Sequence, residues 1–243
     1  MRIGFTTEYY RPYVIGGAET SVHLAATSLA LRGHDVTVFT PDHKTVNHIT
    51  DEYGYDWDGP VRVARYWSPR AFSLRRGVQS VWFRNRPYYW YTARFITRHA
   101  RRLGIVVLQA QTAMVQIPTL MAARRLRIPC VCTIRDMTSL CPLGSIDYAP
   151  CKHRRLCYLS GVARCALRRS HNPKFLLDVW LKYRDMRRRQ RALMRYDAIV
   201  FPSHGYRDVY YEHGFAVPRK RTHVIYNMPP KATWGESAGS KDD

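Results

Sequence analysis

The stretch Arg2-Ile3-Gly4-Phe5-Thr6-Thr7-Glu8-Tyr9-Tyr10-Arg11-Pro12-Tyr13-Val14-Ile15-Gly16-Gly17-Ala18-Glu19 decides the fold. A short apolar run passes through an aromatic loop into two glycines and then a helical pattern. From Ala18 to Arg32, Val22, Ala25, Ala26 and Leu29 recur on one face, and Gly33 supplies the stop. A second apolar run, Asp35 to Thr40, follows at once. Strand, helix, strand at this spacing is a parallel crossover unit, and the helix N-terminus offers free N–H groups to an oxyanion or a sugar hydroxyl. Glycines at 16 and 17 let a ligand approach the backbone; a flexible turn is the plainer reading of the same pair. A dinucleotide-binding Gly-x-Gly-x-x-Gly is excluded, because it sits directly at the strand end and here a long loop intervenes.

Outward from this unit the alternation continues. The runs Val61 to Tyr66, Ile105 to Ala110, Cys130 to Ile134, Ala198 to Pro202 and His223 to Tyr226 predict strands. Helical patterns fall near Tyr88 to Leu103, Val115 to Arg127, Pro173 to Met194 and Tyr206 to His213. The fold class is therefore α/β, a Rossmann-like doubly wound parallel sheet, whose ligands sit at the carboxyl ends of the strands. Residues just past each strand matter most. With 243 residues, 46% of them hydrophobic, the chain can bury one sizeable core. One domain is expected over 1–229, and the small polar stretch 230–243 reads as a linker or frayed terminus. Two stretches break the rhythm: a polar, aromatic segment from Asp42 to Pro60, and a cysteine-bearing loop insertion from Met137 to about Ser170.

Charge narrows the partners. The chain carries 39 Lys+Arg against 18 Asp+Glu, a formal +21, which favours phosphate, nucleic acid or an anionic membrane surface. From Lys152 to Arg195 there are 14 basic residues and two acids, Asp178 and Asp185. In the helix there, Leu176, Val179, Trp180, Tyr183, Met186 and Leu193 recur at helical spacing. Lys182, Arg184, Arg187, Arg188, Arg189 and Arg191 fill the other faces. Peripheral membrane helices share this pattern, and so does a core-packed helix with a solvated basic face. Trp82 to Tyr91 adds the Trp and Tyr typical of a headgroup layer. No apolar run is long enough for a membrane span or a signal peptide, so the expected location is cytoplasmic, peripheral at the inner face of the membrane. No nucleic-acid motif accompanies the charge, and nucleic acid is not the expected partner.

Of six cysteines, Cys130 and Cys132 lie on a strand and are read as core. Cys141, Cys151, Cys157 and Cys165 share one loop, with nine, five and seven residues between them. Four thiolates, or three with His153, would hold a structural zinc tetrahedrally. The Cys-x-x-Cys of zinc ribbons is missing, and free thiols in a reducing compartment are the other reading.

Five blocks now stand in order: Gly4-Phe5 through Gly16-Gly17-Ala18-Glu19; Leu31-x-x-Gly33-His34-x-Val36-x-Val38-x-Thr40-Pro41; Thr133-Ile134-Arg135-Asp136 with Cys141-Pro142; Asp197-Ala198-Ile199-Val200-Phe201-Pro202-Ser203; and Val224-Ile225-Tyr226-Asn227. Together they resemble glycosyltransferase family 4 of the GT-B fold. The resemblance implies the N-terminal, acceptor-binding half of a retaining, metal-independent enzyme that needs no cofactor for catalysis. The nucleotide-sugar donor would be held by a C-terminal half, or a separate subunit, which nothing after Asn227 resembles. By the same resemblance Gly16 and Gly17 contact acceptor or donor phosphate, Glu19 begins the helix that aims them, and Ser203 and Asn227 are substrate-binding. Arg135 and Asp136 face the cleft as catalytic candidates, Arg135 standing where many members carry His. A structural Arg–Asp pair fixing a loop is the other reading of those two. The charge adds a lipid-linked or membrane-associated glycan acceptor, as in polysaccharide or glycolipid biosynthesis. The alternative is a non-catalytic membrane-docking subunit that partners a separate donor-domain protein.

Overall fold

The computed structural model describes residues 1–42, 50–67, 85–142, 160–161 and 174–227. In chain order these form β1 (Arg2–Thr6), α1 (Gly17–Leu31), β2 (Asp35–Asp42), β3 (Asp56–Asp58), β4 (Val61–Trp67), α2 (Arg86–Arg102), β5 (Val107–Ala110), α3 (Gln116–Leu126), β6 (Cys130–Thr133), α4 (Lys174–Leu193), β7 (Ala198–Phe201), α5 (His204–Glu212) and β8 (Thr222–Val224). The sheet order is β3-β4-β2-β1-β5-β6-β7-β8. Every neighbouring pair is parallel except β3 with β4. From β1 the chain steps to β2 on one side and later returns to β5 on the other. The switch point therefore opens at the carboxyl ends of β1 and β5, where doubly wound sheets bind ligands.

The central strands are largely apolar because helices cover both faces. Val22 and Ala26 of α1 are buried against Ile3, Phe5, Val36 and Val38, with Ala25 and Leu29 at the margin. On another side Leu120, Ala122 and Ala123 of α3 join Leu108, Ile134, Ile199 and Phe201 in a separate cluster. Gly33, at φ +84°, ends α1 in the left-handed conformation that favours glycine. Cys130 and Cys132 are core residues as expected, and burial pushes the Cys130 thiol up to about 12.

Gly4 is required for a different reason. A β-carbon there would lie 2.6 Å from Leu108 Cδ2 and 3.0 Å from Phe39 Cε2, at the crowded centre of the sheet. Gly4→Ala should therefore destabilise the fold by about 1–3 kcal/mol in urea denaturation, the usual range for overpacking a core. An unchanged midpoint would show that Leu108 and Phe39 yield freely.

Several elements differ from the sequence reading. The segment between Asp42 and Pro60 holds an antiparallel edge strand, β3, that alternation did not reveal because polar contacts build it. Asp56 takes the Arg65 guanidinium at 2.8 Å, Asp58 meets His23 at 2.7 Å, and Arg62 stacks over Trp57 at 5.1 Å. The strand expected from Ile105 starts at Val107, and the last strand stops at Val224, leaving Ile225 and Tyr226 exposed beyond it. Cys151, Cys157, Cys165 and His153 lie outside the described residues, as do the whole of 230–243 and most of the expected insertion. Cys141 is half-buried, and the described residues contain no group of three or more metal-ligating side chains. No helix among them is long and apolar enough to cross a membrane.

Candidate functional site

At the switch point the chain assembles side chains from the ends of four strands and one helix. Gly16 caps α1 with extended backbone, a conformation any residue adopts. A β-carbon on Gly16 would meet only Glu19 Oε2 at 3.7 Å, and one on Gly17 would meet nothing within 4 Å. The two glycines are thus not demanded by local sterics, and they leave the helix end bare to solvent. Glu19, in the first turn and buried, accepts a hydrogen bond from the Gly16 amide at 2.8 Å. One of the two amides assigned to a ligand from sequence is therefore already satisfied within the chain. The amides that follow Gly16 are the ones without an intrahelical acceptor.

Arg135 stands just past β6. Its Nε and Nη2 donate to Gln111 Oε1 at 3.3 and 3.0 Å, and its Nη1 donates to Asn227 Oδ1 at 2.8 Å. No carboxylate pairs with it directly among the described residues. Burial pushes its guanidinium down to about 10, offset in part by the Glu19 charge. Arg135 therefore stays cationic near neutral pH, partly desolvated and held by neutral amides, an arrangement suited to receiving an anion.

Asp136, its sequence neighbour, points elsewhere. Its Oδ1 accepts from the Thr138 amide at 2.8 Å and from the Thr138 hydroxyl, while its backbone carbonyl takes the Tyr210 hydroxyl at 2.7 Å. The Arg135–Asp136 ion pair considered from sequence does not form. Ser203 is occupied as the N-cap of α5, accepting from the Tyr206 amide at 3.1 Å. The structure thus brings Glu19, Arg135 and Asn227 together, and leaves Asp136 and Ser203 engaged in local turns.

Gln111 was missed by sequence reasoning. It is buried at the end of β5, where its side chain fixes the Arg135 fork and its amide donates to the Thr6 carbonyl at 2.9 Å. Its position immediately after a strand was the available signal.

The basic helix also needs a correction. Lys182, Arg184, Arg187 and Arg188 are partly exposed and Arg191 is exposed, with Arg184 stacked over Trp180 at 4.7 Å. Arg189 does not belong to this surface. It is 3% exposed and pairs at 3.0 Å with Asp185, itself 2% exposed. Asp185, Met186, Arg189 and Leu193 fall on one helical stripe, so Arg189 turns inward with the apolar residues. The Tyr89 hydroxyl also donates to Asp185, and Arg189 Nη1 donates to the Thr138 hydroxyl at 2.8 Å. A buried polar chain therefore runs from α2 through α4 to the loop that carries Asp136.

The profile of Glycosyltransferase Family 4 matches residues 15–228. A sucrose-phosphate synthase from Thermosynechococcus elongatus superposes on the chain with a TM-score of 0.56 and 13% identity, over 93% of this chain and 47% of the other. A trehalose-6-phosphate structure from E. coli, bound with UDP-2-fluoro glucose, gives a TM-score of 0.50 and 13% identity, over 99% and 52%. A glycosyltransferase from Rickettsia africae gives 0.50 and 10%, over 93% and 42%. The shared feature is the GT-B fold, and the chain spans about half the length of these solved structures. No curated protein matches it in sequence.

Proposed function

Because this chain belongs to glycosyltransferase family 4, we propose that it is the acceptor-binding half of a retaining GT-B enzyme, one that moves a sugar from a nucleotide-sugar to a lipid-linked or membrane-associated acceptor. The observation that carries the reading is Arg135: a partly buried cation without a carboxylate of its own, at the carboxyl edge of the sheet beside the open end of α1. When the acceptor hydroxyl oxygen bonds to the anomeric carbon, the bond to the nucleotide phosphate breaks, its electron pair leaves with the phosphate, and the hydroxyl proton passes to the departing phosphate oxygen. A fixed guanidinium and the first-turn amides of α1 stabilise that developing charge. Gln111 and Asn227 hold the guanidinium in place, and the Glu19 charge partly offsets the cost of burying it. No step in this scheme uses a bound metal. The basic surface of α4 supports a site of action at the cytoplasmic face of a membrane.

Asp136 would orient the acceptor hydroxyl, and one substitution separates that role from its turn. Asp136→Asn keeps an Oδ1 acceptor for Thr138 but removes the negative charge. Transfer by the assembled enzyme should then fall by about 100-fold, the loss that a small misplacement of a reacting group brings, at unchanged thermal stability. Near-normal turnover would confine Asp136 to the loop.

The proposal as a whole is tested by combining the chain with a donor-domain protein and screening nucleotide sugars, UDP-linked ones among them, against membrane-lipid extracts. Nucleotide release and a new glycolipid by mass spectrometry are expected. Tight binding of the donor-domain protein and lipid without turnover would point instead to a docking subunit.

A further inference from the structure

Away from the switch point, α2, α3 and α4 enclose a groove of about 450 Å³, within the size range of small-ligand sites. Its floor is aliphatic, made by Ile117, Leu120, Met121 and Ala192. Around it stand Arg86, Arg188, Arg191 and Arg195, and among the described residues no acidic side chain lines it. Among the described residues none of these four arginines is paired with a carboxylate. Arg188 Nη1 is buried and has no hydrogen-bond partner among the described residues, which is costly. Trp90 lies at the edge, 50% exposed, with Arg94 stacked on it at 5.6 Å.

We infer that this groove docks an anionic phospholipid of a membrane, with its phosphate on the arginines and an acyl chain along the aliphatic floor. The inference rests on the reading of the chain as acting on a membrane-associated acceptor, and it names the surface that meets the bilayer. Charge complementarity selects an anion. The floor then selects a hydrocarbon over a nucleic acid, because single-stranded nucleic acids bind on successive aromatic faces. Tyr89, the other aromatic lining residue, is buried and has its hydroxyl engaged by Asp185. A half-exposed Trp beside arginines is the usual arrangement at a headgroup layer.

Cosedimentation of the chain with phosphatidylglycerol vesicles, against phosphatidylcholine vesicles, tests this at near-physiological salt. Binding to phosphatidylglycerol alone is expected. Arg86→Gln/Arg191→Gln/Arg195→Gln should weaken it about 100-fold, from the usual contribution of three cations at an anionic surface. Arg32→Gln/Arg101→Gln/Lys220→Gln removes the same charge from exposed positions outside the groove, and should weaken it by less than about fivefold. Trp90→Ser and Met121→Asp should abolish the binding that survives high salt, with circular dichroism confirming that each variant is folded. Equal binding to both lipids, equal loss in the two triple variants, or displacement of the vesicles by RNA would each overturn the inference. Vesicle binding involves no sugar, so its failure leaves the proposed transferase standing. A chain that binds phosphatidylglycerol through the groove but never supports transfer would fail that proposal alone.

Discussion

Arg135→Gln should leave the chain folded and cut sugar transfer by about 100- to 1,000-fold, the range seen when one preorganised donor to a developing oxyanion is removed. The expectation follows from what surrounds the guanidinium. It has amide partners, Gln111 and Asn227, and no direct carboxylate among the described residues, so its charge is held ready and not spent on an ion pair with them. Burial lowers its pKa from the ordinary guanidinium value to about 10, which means that ionisation opposes folding. The sign is that of a depressed base: the neutral form's advantage is present above the unfolded value and lost as pH falls through about 10. At pH 7 the charge therefore adds nothing to stability, and a neutral Gln should hold or raise the thermal midpoint while transfer collapses. Arg135→Lys should recover little activity, since an ammonium cannot reproduce the two-sided fork between Gln111 and Asn227. Steady-state transfer and thermal denaturation on the same preparations decide the matter. A parallel fall in midpoint and rate would make Arg135 structural.

Asp185→Ala should have the opposite profile and destabilise the chain by about 3–5 kcal/mol, because it strands the buried charge of Arg189. Both groups are nearly inaccessible, Arg189 Nε already lacks a partner, and the Tyr89 hydroxyl loses its acceptor as well. The double variant Asp185→Leu/Arg189→Met removes both charges together and should recover most of that loss. It should not recover transfer, because the Thr138 hydroxyl, which also bonds Asp136, loses its tie to Arg189. Urea titration with an unchanged m-value would measure the stability arm, and kcat against KM in the assembled enzyme the other. A double variant as unstable as Asp185→Ala would contradict the ion-pair account, and one with full activity would detach Arg189 from the positioning of Asp136.

These expectations mark where sequence and structure parted. Short apolar runs and helical patterns located the parallel strands and the five helices within a few residues, since burial on both faces leaves no choice but apolar runs. They missed β3, whose register depends on Asp56, Asp58 and Arg62 meeting partners far along the chain. They also put Arg189 on the surface, because a count of charges says nothing about which one faces a buried carboxylate a turn away. At the site, Arg135 was legible from its place after a strand and from the family resemblance. Gln111 stood in an equivalent place and passed unnoticed for want of a charge.

By its five ordered blocks the sequence resembles glycosyltransferase family 4; from its residues alone it determined a doubly wound α/β sheet, a strongly basic chain and a glycine pair, Gly16-Gly17, at a helix start. Those properties are written in short-range order: hydrophobic period, glycine position, net charge. Only the tertiary structure decided that Gly16 is satisfied by Glu19, that Arg135 turns from Asp136 to Gln111 and Asn227, and that four arginines ring an aliphatic groove. Each of these depends on which side chains distant strands and helices bring within a few ångströms of one another, and hydrogen bonds and ion pairs are decided at that range.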